Sequence, residues 1–139
     1  MTPTTNPRLE RIALTALRVL PALMMFIHGV YRVADGGVNG FGEYLGSVGL
    51  PAGPLVAWTL TVVEIAGSVT MMSGRFVLPL CVWFMGELTM GILLVHRPHG
   101  WFVVGGGRNG MEYATVLVCL FLINALLAVA RKAPAGELA

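Results

Sequence analysis

The sequence predicts an all-α integral membrane protein, a bundle of four spanning helices, and three observations carry that prediction. Of 139 residues, 56% are hydrophobic and only 12% charged, about half the ~25% charged share of ordinary soluble domains. Four apolar segments, roughly 12–34, 55–72, 76–95 and 111–130, each approach the ~20 residues that cross a hydrocarbon core. They must be helical, because an isolated open strand leaves backbone polar groups unsatisfied in lipid. Residues 1–139 therefore read as a single transmembrane domain, with a loose polar tail at 133–139.

The first segment follows Arg8 and Arg11, which also suits a signal peptide. It ends in His28, Tyr31, Arg32 and Asp35 without a small-x-small cleavage site, so it is read as a retained span. Arg18, near its start, is expected to snorkel to the interface. In the connection that follows, GFGEYLGSVGLP spaces its apolar and small residues at near-helical intervals, which predicts a short interfacial helix stopped by Pro51 and Pro54. A tight Ser73-Gly74-Arg75 turn joins the second and third spans. Cys81 and Cys119 lie in apolar runs without any CxxC pattern and are read as buried packing thiols.

Charge orients the bundle. Arg8, Arg11, Arg18, Arg75, Arg131 and Lys132 fall on one side, against Arg32, Arg97 and Arg108 on the other, which places both termini in the cytoplasm and the protein in the plasma (inner) membrane. A net charge of only +2, with no basic run longer than Arg131-Lys132, argues against nucleic acid; the partners are expected in the bilayer.

The loop HRPHGWFVVGGGRNGMEY places Gly105, Gly107 and Gly110 in the spacing of a dinucleotide-binding GxGxxG. That fingerprint needs a strand before it and an acidic residue about twenty positions on. Here a membrane span follows and position 130 is alanine, so no nucleotide is expected. The loop reads instead as an outer lid, with Trp101 and Phe102 as surface anchors and Glu112 able to cap the last helix.

The ionisable residues gather in the outer half. Glu64 lies about 14 Å, Glu87 about 12 Å and His28 about 9 Å below the outer ends of their helices at 1.5 Å per residue. A charge at such depth costs a few kcal/mol, so Glu64 and Glu87 must face the interior, be paired or stay protonated. His28 shares a helix face with Arg32 at i+4; the two could simply reach for headgroups at the interface, but the carboxylates of the later spans favour a buried ionic network with Arg32. His96 and His99 are separated by a helix-interrupting Pro98, and no spacing selects a metal; no metal site is expected. The bland alternative is that Glu64 and Glu87, like Asn124, serve only as interhelical hydrogen-bonding residues.

Several stretches carry a family resemblance: HGVYRV at the end of the first span, YLGSVGLP after it, TVVEIAGSVTMMSGR across the second span, and His96 followed by GWFVVGGGRNGMEYATVL. Together they resemble the DoxX-like family of small four-helix membrane proteins. In that family a basic residue ends the first helix, an acidic one sits in the second, and a histidine, glycine and glutamate cluster leads into the fourth. Arg32, Glu64, His96 and Glu112 match those positions, with Arg32 standing where a lysine is usual. The resemblance implies a quinone-linked role, often as one subunit of a membrane oxidoreductase.

The leading expectation is a quinone-linked subunit with proton-handling residues. Glu64 would accept the proton, His28 or His96 would pass it outward, and Arg32 would tune Glu64 or hold a quinone oxygen; Glu87 and Glu112 complete the candidate set. Quinone is thus the expected cofactor, held by Arg32, Glu64 and His96, and no haem, flavin or NAD pattern is present. Other subunits of a redox complex, or further copies of the chain, are the expected partners. Whether the chain is itself an enzyme stays open. The alternative is a non-catalytic scaffold that anchors a soluble enzyme or stabilises a respiratory complex; a small permease would require an oligomer.

Overall fold

The computed structural model describes residues 6–104 and 108–131. Gly105 and Gly107 of the glycine-rich loop, and the tail expected at 133–139, lie outside the described residues. The architecture is all-helical: α1 (Pro7–Ala34), α2 (Val38–Ser47), α3 (Gly53–Met72), α4 (Val77–His99) and α5 (Glu112–Ala130), with no strand among the described residues.

Helix α1 begins ahead of its apolar stretch because Asn6 caps it. The Asn6 side chain accepts the backbone N–H groups of Arg8 at 3.0 Å and Leu9 at 3.4 Å, and Pro7 occupies a first-turn position where no N–H is needed. Helices α1, α3, α4 and α5 have mean hydropathies of 1.6 to 2.4 over lengths of 19 to 28 residues, enough to cross a bilayer. The chain is a multi-pass membrane protein. Lipid is therefore the environment of its many exposed apolar side chains, such as Leu55, Val82, Leu93 and Leu126.

The core is a narrow seam. Ala22 and Met25 of α1, Met71 of α3, Cys81 and Phe84 of α4, and Leu117, Phe121 and Ala125 of α5 form one cluster. The Phe84 and Phe121 rings meet at 5.1 Å between centroids, tilted by 37°. Cys81 is a packing thiol as expected, but Cys119 is exposed. Leu117, Phe121 and Asn124 occupy the inward face of α5, and Cys119 falls off that face, where contact with lipid costs it nothing.

A second cluster, Val38 and Leu45 of α2 with Ala57 of α3, seats α2 against the start of α3. Glycine makes this approach possible: a Cβ on Gly42 would stand 2.6 Å from Pro54 Cα, inside any permitted contact. The short helix expected between the first two spans is thus present and packed onto α3.

Two prolines open positions that side chains then close. Pro21, buried inside α1, brings no N–H to the carbonyl four residues earlier, that of Leu17. Asn124 Nδ2 of α5 donates to this Leu17 oxygen at 2.9 Å, and also to Leu120 O in its own helix at 2.8 Å. Pro98 likewise withholds an N–H from the Leu94 carbonyl, and Tyr44 of α2 donates its hydroxyl there at 2.8 Å. In lipid a freed carbonyl needs such a partner. The two bonds lock α1 to α5 and α2 to α4. At the opposite end from α2, Arg18 reaches the last turn of α3 and donates from Nη2 to Met72 O at 3.4 Å.

Candidate functional site

Helix α3 turns a polar stripe inward. Gly53, Ala57, Thr61, Glu64, Ser68 and Met71 are its buried positions, spaced by three and four residues on one helical face. Around Glu64 the helix widens into a π turn at Val63–Gly67, a local geometry that recurs at functional sites. A second π turn, Ile92–His96, lies near the end of α4 and contains His96, ahead of a closing 3-10 turn at Arg97–His99.

Opposite the stripe, α1 has Gly29 where any side chain would collide with α3. A Cβ there would lie 2.9 Å from Glu64 Cβ and 3.0 Å from Ile65 Cγ1. The missing side chain lets Glu64 lie flat against α1, within reach of Arg32 three residues further on.

Arg32 binds Glu64 as a fork. Nη1 donates to Oε2 at 2.6 Å and Nη2 donates to Oε1 at 3.0 Å. Nη1 also donates to Thr61 Oγ1 at 2.9 Å, and the Thr61 hydroxyl donates onward to Ala57 O at 2.7 Å. Phe41 of α2 closes the far side, its ring centroid 4.5 Å from the guanidinium carbon, a cation–π contact. Glu64 is 1% exposed and the Arg32 side chain 12%. The two charges thus meet in a bidentate geometry in which each neutralises the other.

Two more titratable groups flank the pair. His28 Nε2 stands 4.0 Å from Glu64 Oε1, with its side chain 65% exposed at the perimeter of the bundle. Glu87 of α4 lies within hydrogen-bonding reach of Glu64 and Trp83, and its Oε2 is buried and meets no donor. Ser68 Oγ is buried and unpartnered as well.

The remaining candidates hold the connection between α4 and α5. His96 Nδ1 meets the Asn109 carbonyl at 2.9 Å, and His96 comes within charge–charge range of His28. Glu112 accepts the Val103 N–H at 3.1 Å, while its own N–H donates to Trp101 O at 3.0 Å. Its carboxylate therefore holds the loop and does not cap α5, whose first turn has no side-chain cap. Gly110 is buried where a Cβ would strike the Trp101 and Phe102 carbonyls, which explains this glycine by close packing. Among the described residues no three His, Cys, Asp or Glu side chains gather as a metal site.

Sequence reasoning missed Thr61, Phe41 and Gly29. Thr61 had a signal, standing one turn before Glu64 on the same face. Phe41 and Gly29 had none, because each acts through a neighbour on another helix. Thr61→Val keeps the volume but removes both hydroxyl bonds, and is expected to lower unfolding free energy by about 1 kcal/mol, measured by denaturant titration of the solubilised protein.

The family model described as DoxX matches residues 13–97, well over half of the chain. This chain belongs to the DoxX family. The DoxX match takes in His28, Arg32, Glu64, Glu87 and His96, and ends before Glu112 and α5. No curated protein and no solved structure matches the chain.

Proposed function

We propose that this DoxX-family protein is the quinone-linked membrane subunit of an oxidoreductase in the plasma membrane, with both termini cytoplasmic. The observation that carries the reading is the Glu87 carboxyl, whose Oε2 is buried and meets no donor, set beside the Glu64 carboxylate that an arginine fork already holds. Such an oxygen fits a ligand that offers and accepts protons through its own oxygens, as a quinol–quinone couple does.

A bound quinone supplies two-electron, two-proton chemistry in an apolar membrane setting. On the protein side, Glu87 Oε2 receives or returns a proton, and Glu64, fixed by Arg32, holds negative charge beside it. His28 lies next to Glu64 and reaches the perimeter of the bundle, so it can relay the proton toward the outer face. His96 and Glu112 keep the lid over this end. Electrons pass to or from a partner subunit.

The test is quinone reduction by the protein co-purified with its partner. Glu64→Gln and Glu87→Gln are each expected to cut turnover about a hundredfold, the usual scale of acid–base assistance, while the partner still co-purifies. A Glu64→Gln variant with wild-type turnover sinks the assigned role.

One observation favours the scaffold reading instead: Arg32 and Glu64 satisfy each other in a site only 1% exposed at the carboxylate, as a structural strut would. Full activity and partner retention after both are neutralised together would establish that reading in place of the first.

A further inference from the structure

The end of the bundle opposite the Arg32–Glu64 site carries an open groove of about 410 Å³ whose lining includes Arg11, Arg18 and Arg131 with Glu10, Leu14 and Thr15. The helix register explains why these meet. Asn124 of α5 is bonded to Leu17 of α1, and the two helices run antiparallel. Two turns onward along α5 lies Arg131; two turns back along α1 lie Glu10 and Arg11. Arg18 follows Arg11 by two turns on the same face of α1.

Arg18 is the anchor of the groove. Its Nη2 makes one long bond, 3.4 Å, to Met72 O, and its Nε is buried with no hydrogen-bond partner. A guanidinium N–H left without an acceptor away from water is unfavourable, and a phosphate oxygen is the acceptor that guanidinium geometry suits best.

The depth of the groove fits a headgroup. The 28 residues of α1 span about 42 Å, against a hydrocarbon core of ~30 Å, and the 19 residues of α5 span about 28 Å. From the bonded level of Leu17 and Asn124, α1 continues further toward its start at Pro7 than α5 does toward its end at Ala130, so about one turn of α1 projects past the end of α5 toward the headgroup layer, where Arg11 and Arg131 line the same groove.

We infer that this groove binds the headgroup of an anionic phospholipid. Arg18 and Arg11 take the phosphodiester oxygens, Thr15 offers a hydroxyl donor, and Leu14 meets the start of the acyl chains. Arg131 adds the third positive charge. Glu10 leaves the groove with a net charge of about +2 and opposes a free dianionic phosphate, while its carboxylate can accept from a hydroxyl-bearing headgroup such as glycerol. A zwitterionic lipid brings its own ammonium group into the same cationic groove and is disfavoured.

Native mass spectrometry of the full-length protein, released from micelles doped equally with phosphatidylglycerol and phosphatidylcholine, tests this. Phosphatidylglycerol should be retained selectively, and Arg18→Gln, Arg11→Gln and Arg131→Gln should each weaken retention about fivefold, the scale of one interfacial arginine. Arg75→Gln removes the same charge from the same end outside the groove and should change nothing. Equal retention of both lipids, an equal loss in Arg75→Gln, or inorganic phosphate abolishing the selectivity would each overturn the inference. Arg11 and Arg131 are exposed, so their variants fold and keep the test decisive even if Arg18→Gln does not.

Discussion

Arg32→Ala is expected to lower the unfolding free energy of the solubilised protein by about 3–5 kcal/mol. The substitution leaves Glu64, 1% exposed, as a buried carboxylate without its two charge-assisted bonds, and removes the acceptor role of Thr61 toward Nη1. The expected loss comes mainly from the uncompensated charge, not from the net worth of the pair. Replacing both partners by apolar residues of similar size, Arg32→Met with Glu64→Leu, should therefore recover most of the lost stability. Arg32→Lys should fall between, because an ammonium keeps the charge but cannot fork across both oxygens and still reach Thr61. Circular dichroism during denaturant titration measures all three. A loss below about 1 kcal/mol for Arg32→Ala would mean that water reaches Glu64, contrary to its burial.

Gly29→Val should cost about 3 kcal/mol and disturb the same ion pair from the opposite helix. Overpacking a tight contact costs ~1–3 kcal/mol by itself. Here the added Cβ would stand 2.9 Å from Glu64 Cβ and 3.2 Å from Glu64 Oε2, so α1 and α3 must separate or the carboxylate must swing away from Arg32. Gly29→Ala presents the same Cβ without the branch and should cost less. The comparison with Gly40→Ala is informative, since a Cβ at Gly40 meets nothing within 4 Å and alanine is the better helix former inside α2, so its variant should be neutral or more stable by up to about 1 kcal/mol. Equal melting behaviour of the Gly29 and Gly40 variants would refute the close approach.

Much of the fold was legible because lipid imposes simple demands. Long apolar runs must span and must be helical, so the segments around Val19, Leu60, Trp83 and Leu120 declared themselves from composition alone. The inward direction of Glu64 was legible for the same reason, since lipid contact would strand its charge. Arg32 as its partner followed from its position near the end of the same bundle side. Glu112 was harder: its carboxylate lies near a helix N-terminus, which suggests a cap, yet the loop brings the Val103 N–H to it at 3.1 Å. The inward or outward set of Cys119 was equally illegible, because α5 is apolar all round and its sequence carries no polar face to orient it.

What the sequence by itself determined is the membrane class, the four spans, the short helix after the first of them and the burial of Glu64, all consequences of the cost of polarity in lipid. What only the tertiary structure decided is which atoms meet: the Arg32 fork on Glu64, the Thr61 and Phe41 contacts around it, the unpartnered Glu87 oxygen, and the Asn124 and Tyr44 bonds to carbonyls that Pro21 and Pro98 set free. Each depends on the rotation and register of one helix against another. Those are set by glycine-sized gaps and single hydrogen bonds between residues far apart in the chain, and hydropathy patterning carries no record of them.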